Sequence, residues 1–464
     1  MASICTSNVT SGFIDLATFD EIEKYLYGGP DATAYFVRET RKSTWFTQVP
    51  VVLSRASGSP AFNQEWAVSI SRAGDYLLHT WLRLQLPSVA LNQGAGGNAA
   101  TNLRWTRNFM HNIVREACIT FNDLVAARFD NYHLDFWAAF TVPAGKRNGY
   151  NNMIGNFNDL TQGGVAIAAH TLNLPLPFFY SRDSGVALPT AALPYNEMRI
   201  NFAFRDWSDL LIMSNANSVV EQRLPINATV DLVNGTPVLG VTQVWADYAI
   251  VSNDERKRMA CAPRDILIEQ VQTAPRQAFT PGNNPQQSYD VRFSHAIKVL
   301  FFSVRNRTWG SEWSNYMTSS PVTAVGGLTN FTPTGSSDPI LQTSLIYENT
   351  NRLAQMGSDY FALVNPYFHA PVIPLDTGFH MYSYSLDFIC LDPMGSTNYG
   401  KLTNVSVVPE ASAAAVAAAT GAPVGVPPAP VAGANFAQLY EFIITAVNNN
   451  IIRISGGALG FPVL

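Results

Sequence analysis

Glu197-Met-Arg-Ile-Asn-Phe-Ala-Phe-Arg205 alternates without a break. Met198, Ile200, Phe202 and Phe204 fall on one side of an extended chain, and Arg199, Asn201 and Arg205 on the other. That period of two marks a strand with one buried face. Tyr76 to Leu86 reads the same way, with Leu78, Leu82, Leu84 and Leu86 opposed by His79, Arg83 and Gln85. Tyr382, Tyr384, Leu386 and Phe388 alternate with Ser383, Ser385 and Asp387. Ala296 to Val304 is apolar on nearly both faces, as expected inside a sandwich. Val241 to Val251 and Ile266 to Val271 read as further strands. Near the end, Phe442 to Val447 and Ile451 to Ser455 flank Asn448-Asn449-Asn450, and the tolerance of Asn for left-handed backbone predicts a hairpin turn there. Gly and Pro clusters punctuate the rest, so the class is all-β, of sandwich type.

Two places depart from this pattern. Thr18-Phe-Asp-Glu21 has the form of a capping box, with Ile22, Tyr25 and Leu26 at helical spacing and Gly28-Gly29 as a stop. It predicts a short helix in an N-terminal arm spanning residues 1–50. Ser252-Asn-Asp-Glu255 is a second capping box and opens the charged stretch Arg256-Lys-Arg-Met259. A charged helix between strand-rich halves is a natural connector, which places the halves at 51–253 and 254–464. The halves also echo each other. Asp183 and Asp392, like Leu193 and Leu402, stand 209 residues apart, and each Leu shortly precedes a strand.

Of the 464 residues, 47% are hydrophobic and only 14% charged, with 27 Phe, 18 Tyr and 9 Trp. So little charge with so many aromatics implies that much surface is buried against other chains. The net charge of −5 argues against direct nucleic-acid binding, which needs an excess of Lys and Arg. Cys5, Cys118, Cys261 and Cys390 form no C-x-x-C pair, so neither zinc nor a disulfide framework is indicated. No signal-peptide pattern is visible at Met1-Ala-Ser-Ile-Cys, and Ala2 excludes myristoylation. The uncharged run Ala411 to Tyr440 contains Pro423, Pro427, Pro428 and Pro430, which favour a surface loop over a membrane span. Asn-x-Ser/Thr sequons stand at Asn8, Asn227, Asn234, Asn306, Asn330 and Asn404.

Catalytic motifs are absent or broken. Gly395, Gly400 and Lys401 satisfy the G-x-x-x-x-G-K part of a phosphate loop, but Leu402 stands where Ser or Thr should hold magnesium. A strand pattern, Leu402 to Val408, follows where a helix is required. A turn-rich loop entering a strand is the better reading. The seven histidines include no H-x-x-x-H, and His111 and His133 read as structural. No G-x-S-x-G elbow occurs. Among carboxylates that could serve glycoside hydrolysis, Asp130, Asp135 and Asp359 come first, in aromatic-rich strand or turn contexts. Arg256-Lys257-Arg258 reads as a solvated helix face. The tryptophans at 45, 81, 105, 137, 207, 245, 309 and 313 read as core, or as interface anchors where exposed. No catalytic, cofactor or metal residue is assigned.

The whole chain closely resembles the major capsid proteins of iridoviruses, most nearly those of the invertebrate iridescent viruses. The resemblance rests on Asn8-Val-Thr-Ser-Gly-Phe-Ile-Asp-Leu-Ala-Thr-Phe-Asp20, Tyr27-Gly-Gly29, Met110-His-Asn-Ile113 and Phe121-Asn-Asp-Leu124. It continues through Leu174-Pro-Leu-Pro-Phe-Phe179, Ser181-Arg-Asp-Ser-Gly-Val-Ala-Leu-Pro189, Leu193-Pro-Tyr-Asn-Glu197 and Val291-Arg-Phe-Ser-His295. Leu345-Ile-Tyr-Glu-Asn349, Pro393-Met-Gly-Ser-Thr-Asn-Tyr-Gly400 and Gly456-Gly-Ala-Leu-Gly-Phe-Pro-Val-Leu464 complete it. The resemblance implies a tandem double jelly roll, two eight-stranded sandwiches, with no enzymatic activity. It implies homotrimeric, pseudo-hexagonal capsomers tiling an icosahedral virion shell, assembled in the host cytoplasm over an internal membrane. It further implies that the arm meets minor capsid proteins and internal viral membrane proteins, that capsomers meet a penton protein, and that outer loops face the host surface. Ala411 to Ala434 is the candidate variable loop, and Lys401 is expected to meet a neighbouring chain. The alternative from another class is a double-sandwich glycan-binding or glycan-hydrolysing protein, which would need convergent carboxylates or exposed aromatics in a concave site.

Overall fold

A computed structural model of the chain describes residues 2–93, 102–215, 222–284, 286–318, 338–420 and 437–462. It divides into two units, Met1–Trp45 and Phe46–Leu464.

The first unit holds α1 (Ala2–Ala17) and α2 (Glu21–Leu26). Only α2 was expected, and its cap differs from the sequence reading. The Asp20 carboxylate accepts from Glu21 N at 2.8 Å, whereas the Thr18 hydroxyl donates back to Asp15 O at 2.6 Å. Thr18 therefore finishes α1, and the next acceptor along the chain starts α2. Gly28 and Gly29, at φ 108° and 109°, end the segment as expected.

The second unit begins with β1 (Phe46–Val52), β2 (Glu65–Ser69) and β3 (Tyr76–Leu86). α3 (Phe109–Ile113), β4 (Val114–Phe121), β5 (Leu124–Asp130), α4 (Asn131–Thr141) and α5 (Ala144–Ile154) follow. β6 (His170–Pro175), β7 (Met198–Phe204) and β8 (Thr242–Val251) complete the first set. α6 (Asn253–Cys261) leads to β9 (Arg264–Thr273), β10 (Tyr289–Asp290), β11 (Ala296–Asn306), β12 (Ile340–Tyr347) and β13 (Thr350–Gly357). α7 (Asn365–His369), β14 (His380–Ser383), β15 (Val405–Ala411), α8 (Ala413–Ala419) and β16 (Tyr440–Ser455) close the chain.

The pairing is the same twice. β1-β8-β3-β6 and β2-β7-β4-β5 form the sheets of one sandwich, and β9-β16-β11-β14 and β10-β15-β12-β13 those of the other. Adding eight to each strand number converts the first arrangement into the second. Each half is an antiparallel eight-stranded jelly roll.

β7 meets its sequence expectation. Met198, Ile200, Phe202 and Phe204 are all at most 2% exposed, and Trp66 stacks on Phe202 with centroids 4.9 Å apart. Each such side chain contributes roughly 1.5–3 kcal/mol by leaving water. β15 repeats the alternately buried pattern of β7, and their first residues, Met198 and Val405, lie 207 positions apart. The sandwich is therefore used twice, as the echo implied, but its strands repeat at 207 rather than at the 209 of the anchors read from the sequence.

The repeat extends to the hairpins. Asn122 and Asp123 between β4 and β5, and Glu348 and Asn349 between β12 and β13, all have positive φ, which matches the twist of a tight hairpin. Asn122 N donates to Glu197 O at 2.9 Å, and its side chain accepts from Glu197 N at 2.7 Å. Glu348 N donates to Asn404 O at 3.0 Å, and its carboxylate accepts from Asn404 N at 3.1 Å. The same reciprocal latch holds the start of β7 and of β15.

Four expectations are overturned. Asn448-Asn449-Asn450 is no turn: β16 runs straight through it between two partners, with Asn449 opposite both Glu269 and Ala296. Ladder bonds on both sides outweigh the weak preference of Asn for a turn. The strand at Tyr382 stops at Ser383, because the Ser383 hydroxyl bonds Ser385 O at 2.7 Å and turns the chain, leaving Leu386 71% exposed. In β3 a register irregularity near Asp247 places Leu77, rather than Leu78, in the core. The uncharged run after Ala411 is not all loop, since Ser412 caps α8 by accepting from Ala415 N at 3.2 Å. Of the candidate variable loop, residues 421–434 lie outside the described residues.

Candidate functional site

The densest polar chemistry lies between the two rolls. α4 leaves β5 through Asp130, whose carboxylate accepts from His133 N at 3.0 Å. Tyr132, Phe136 and Phe140 then recur on one helical face. Phe136 and Phe140 pack on Phe301 of β11, with centroids 5.9 and 5.4 Å apart. Tyr132 Oη donates to Glu441 Oε1 at 3.0 Å, and Arg305 Nη1 donates to the same oxygen at 3.0 Å. Arg205 of the first roll and Arg305 of the second each lie 3.8 Å from the Trp313 ring centroid. Arg182 pairs with Glu269 at 2.8 Å and lies 4.2 Å from the Trp137 ring centroid. Glu269 also holds the buried Lys298, and Arg223 meets Glu312 at 2.6 Å. Charges this deep require partners, and each of these has one.

The carboxylates singled out from the sequence do not converge. Asp130 is a helix cap whose carboxyl is raised by burial. Asp135 accepts from Ser314 Oγ and Tyr316 Oη, each at 2.8 Å, and contacts His111 Nδ1 at 2.8 Å. Asp130 ends β5, in keeping with the strand or turn expected of it, whereas Asp135 lies within α4. Asp359 is exposed at the start of the π-helical turn Tyr360–Val364. His111 is structural, with Nε2 2.6 Å from Tyr150 Oη. His133 is buried, and that burial, with the Arg182 cation, pushes its imidazole down to about 3.

Ser358, His380 and Asp338 have the composition of a hydrolytic triad but not its arrangement. Ser358 Oγ and Asp338 Oδ2 both contact the same ring nitrogen of His380, Nε2, at 2.7 and 2.9 Å. A base must meet nucleophile and orienter on different nitrogens. Burial opposes the Asp338 charge, yet His380 and the bonds from Ser358 and Ile340 N hold the carboxyl below its usual range. The cluster ties the start of β12 to β14. Among the described residues no group of three His, Cys, Asp or Glu side chains could hold a metal, and no helix is long and apolar enough to cross a membrane.

The false phosphate loop is structural. Gly395 has φ 121°, and an added Cβ would lie 2.7 Å from Tyr384 O. The Asn398 side chain accepts from Gly400 N at 3.0 Å, while Tyr399 is buried and its hydroxyl meets that of Tyr384 at 2.6 Å. Lys401 is exposed. In α6, Lys257 and Arg258 are solvated as expected, but Arg256 binds Asp75 through two bonds of 2.8 and 3.0 Å. The Ser252 side chain makes no capping bond. Asn306 is 2% exposed, which closes its sequon, while Asn8, Asn227, Asn234 and Asn404 are exposed and Asn330 lies outside the described residues.

Comparison with known proteins agrees with this architecture. Residues 34–251 match the family model described as the major capsid protein N-terminus, and residues 255–460 that of the large eukaryotic DNA virus major capsid protein. The chain is 67% identical to the major capsid protein of Costelytra zealandica iridescent virus, over the whole of both chains. It is 63% identical to that of Invertebrate iridescent virus 6 and 49% to that of Lymphocystis disease virus 1, again over all of each chain. Among solved structures, the quasi-atomic model of the PBCV-1 virus capsid matches with a TM-score of 0.74 at 20% identity, covering 93% of this chain and 100% of that one. The Faustovirus major capsid protein matches at 0.72 and 12% identity, covering 98% and 99%. With two eight-stranded rolls of the same strand order and relatives this similar along its length, the chain belongs to the major capsid proteins of the iridescent viruses, and is a structural double jelly-roll protein rather than an enzyme.

Proposed function

We propose that three copies of this chain form a pseudo-hexagonal capsomer, and that such capsomers tile the icosahedral shell of a virion enclosing an internal membrane. The observation that carries this reading is the strand-for-strand identity of the two rolls, β1–β8 and β9–β16. Three chains then present six similar sandwiches, so a threefold assembly can occupy a hexagonal lattice position. The working division is an arm at 1–50, a first roll at 51–253 and a second at 254–464. The strand β1 already begins at Phe46, inside that arm.

The arm carries exposed Phe13, Ile14, Leu16, Ile22, Tyr25 and Leu26, which suits contact with minor capsid proteins and internal viral membrane proteins. Penton protein and neighbouring capsomers would meet the outer edges, Lys401 among them, and the outer loops would face the host surface. Assembly would take place in the host cytoplasm. The test is the mass of the purified chain by sedimentation and light scattering, with electron microscopy of the particles. A species of three times 50.7 kDa with hexagonal outline is expected, and a stable monomer at micromolar concentration in physiological salt would overturn the reading.

A further inference from the structure

In the second roll, the outer face of the β9-β16-β11-β14 sheet is covered from within the chain. Phe136 and Phe140 of α4 press on Phe301, and Val299 and Val447 beside it are 0% and 2% exposed. β5 lies along β9, where Gln270 Nε2 donates to Ala126 O at 2.8 Å.

The equivalent sheet of the first roll, β1-β8-β3-β6, carries an apolar row with no such cover among the described residues. Val52 pairs with Trp245, Trp245 with Trp81, and Trp81 with Pro175, crossing all four strands. The two indoles stack with centroids 6.1 Å apart. β1, the counterpart of the largely half-buried β9, leaves Phe46 52% and Val52 40% exposed. At the Pro175 end a cavity of about 960 Å³ opens against Leu134, Trp137 and Ala138 of α4. The open face is thus continuous with the seam that α4 makes inside the chain.

The counterpart of α4 is the insertion between β13 and β14, residues 358–379. There Leu363, Val364, Tyr367 and Phe368 are 50%, 41%, 70% and 71% exposed. The second insertion is anchored in its own chain through Phe361, Asn365 and Phe379, yet unlike α4 it leaves Tyr367 and Phe368 uncovered; one outer face is covered and its equivalent is not. We infer that the 358–379 insertion of one copy seats on the outer face of β1-β8-β3-β6 of a second copy, with Tyr367 and Phe368 over the Trp81–Trp245 row and β13 along β1. The contact would repeat between chains what α4 and β5 do within one. Because the two surfaces differ, it is heterologous and closes only as a ring. The inference rests on the trimer proposed above and names its interface.

Two double variants test it. Tyr367→Asp with Phe368→Asp spoils the insertion, and Phe46→Asp with Val52→Asp spoils the sheet face. Each alone should sediment as a 50.7 kDa monomer with native circular dichroism. Mixed in equal amounts they should form a one-to-one dimer of twice that mass and nothing larger, since one sound insertion then meets one sound face. If circular dichroism shows a misfolded variant, Ser replacements at 367 and 368 and Thr replacements at 46 and 52 take its place. Trimers of either double variant would overturn the interface while leaving the trimer intact. Failure of two monomeric variants to pair would overturn the matching of the faces. A monomeric parent chain would remove the trimer and this interface together.

Discussion

Arg205 and Arg305, one from each roll, lie 3.8 Å from the centroid of the same indole, that of Trp313. Both guanidinium groups therefore pack against the one ring. Burial first, with the neighbouring Arg305 and Arg276 cations, pushes Arg205 down to about 10. The ring faces offset part of that repulsion.

Trp313→Ala should therefore lose more than packing. Removing a large aromatic from a core costs about 3–5 kcal/mol, and the attraction of the ring for both cations is lost as well. Trp313→Phe should retain about half of the stability lost by Trp313→Ala. Chemical denaturation followed by tryptophan fluorescence would measure both, and an Ala variant within about 0.5 kcal/mol of the parent would count against the arrangement.

Glu441 accepts from Tyr132 and Arg305 and lies 3.9 Å from Arg276. Glu441→Ala should cost about 3–5 kcal/mol, because it strands buried Arg305 without its anion. Arg305→Met combined with Glu441→Leu should recover most of that loss. Non-additivity in this cycle is the readout, and strictly additive losses would show that the two residues act independently.

His133 gives the seam an acid limit. Its folded value, about 3, lies below the ordinary histidine value near 6.5. The unfolded chain takes up a proton first as pH falls, so the stability this neutral ring contributes is complete above about pH 6.5 and is lost towards pH 3. The slope is at most about 1.4 kcal/mol per pH unit. His133→Leu should flatten the pH dependence of the unfolding midpoint between pH 6 and about 4, and an unchanged profile would refute the assignment.

Gly395→Ala should destabilise the second roll by about 1–3 kcal/mol, since its backbone is left-handed and the new Cβ meets Tyr384 O at 2.7 Å. Lys401→Ala should shift the melting midpoint of the isolated chain hardly at all. Addition of ATP and magnesium should leave the midpoint of the parent chain unchanged, and a clear rise would restore the phosphate-loop reading.

The seam explains why so little of the site could be read from the chain. Tyr132 and Glu441 are 309 residues apart, and Arg182 and Ile389 are 207 apart. Arg205 sits at the end of a strand that alternation describes fully, yet nothing local tells that Trp313 will cover it. Trp81 and Trp245 were legible as aromatics with two readings. Their placement in one row depends on the register of β3 and β8.

What the sequence determined by itself was the class of each segment whose pattern is local. β3 and β7 fall where alternation puts them, and α6 follows its charges between the halves. The tertiary structure decided where two local signals conflict or where none exists. Asn448-Asn449-Asn450 extends because strands on both sides claim its backbone bonds. Asn131–Thr141 is a helix that bridges two rolls, with aromatic contacts to Phe129 of β5 and Phe301 of β11. Local propensity is worth tenths of a kcal/mol to about one per residue, whereas a paired backbone group or a buried ring is worth that much or more each, so assembly of the whole settles the ambiguous parts.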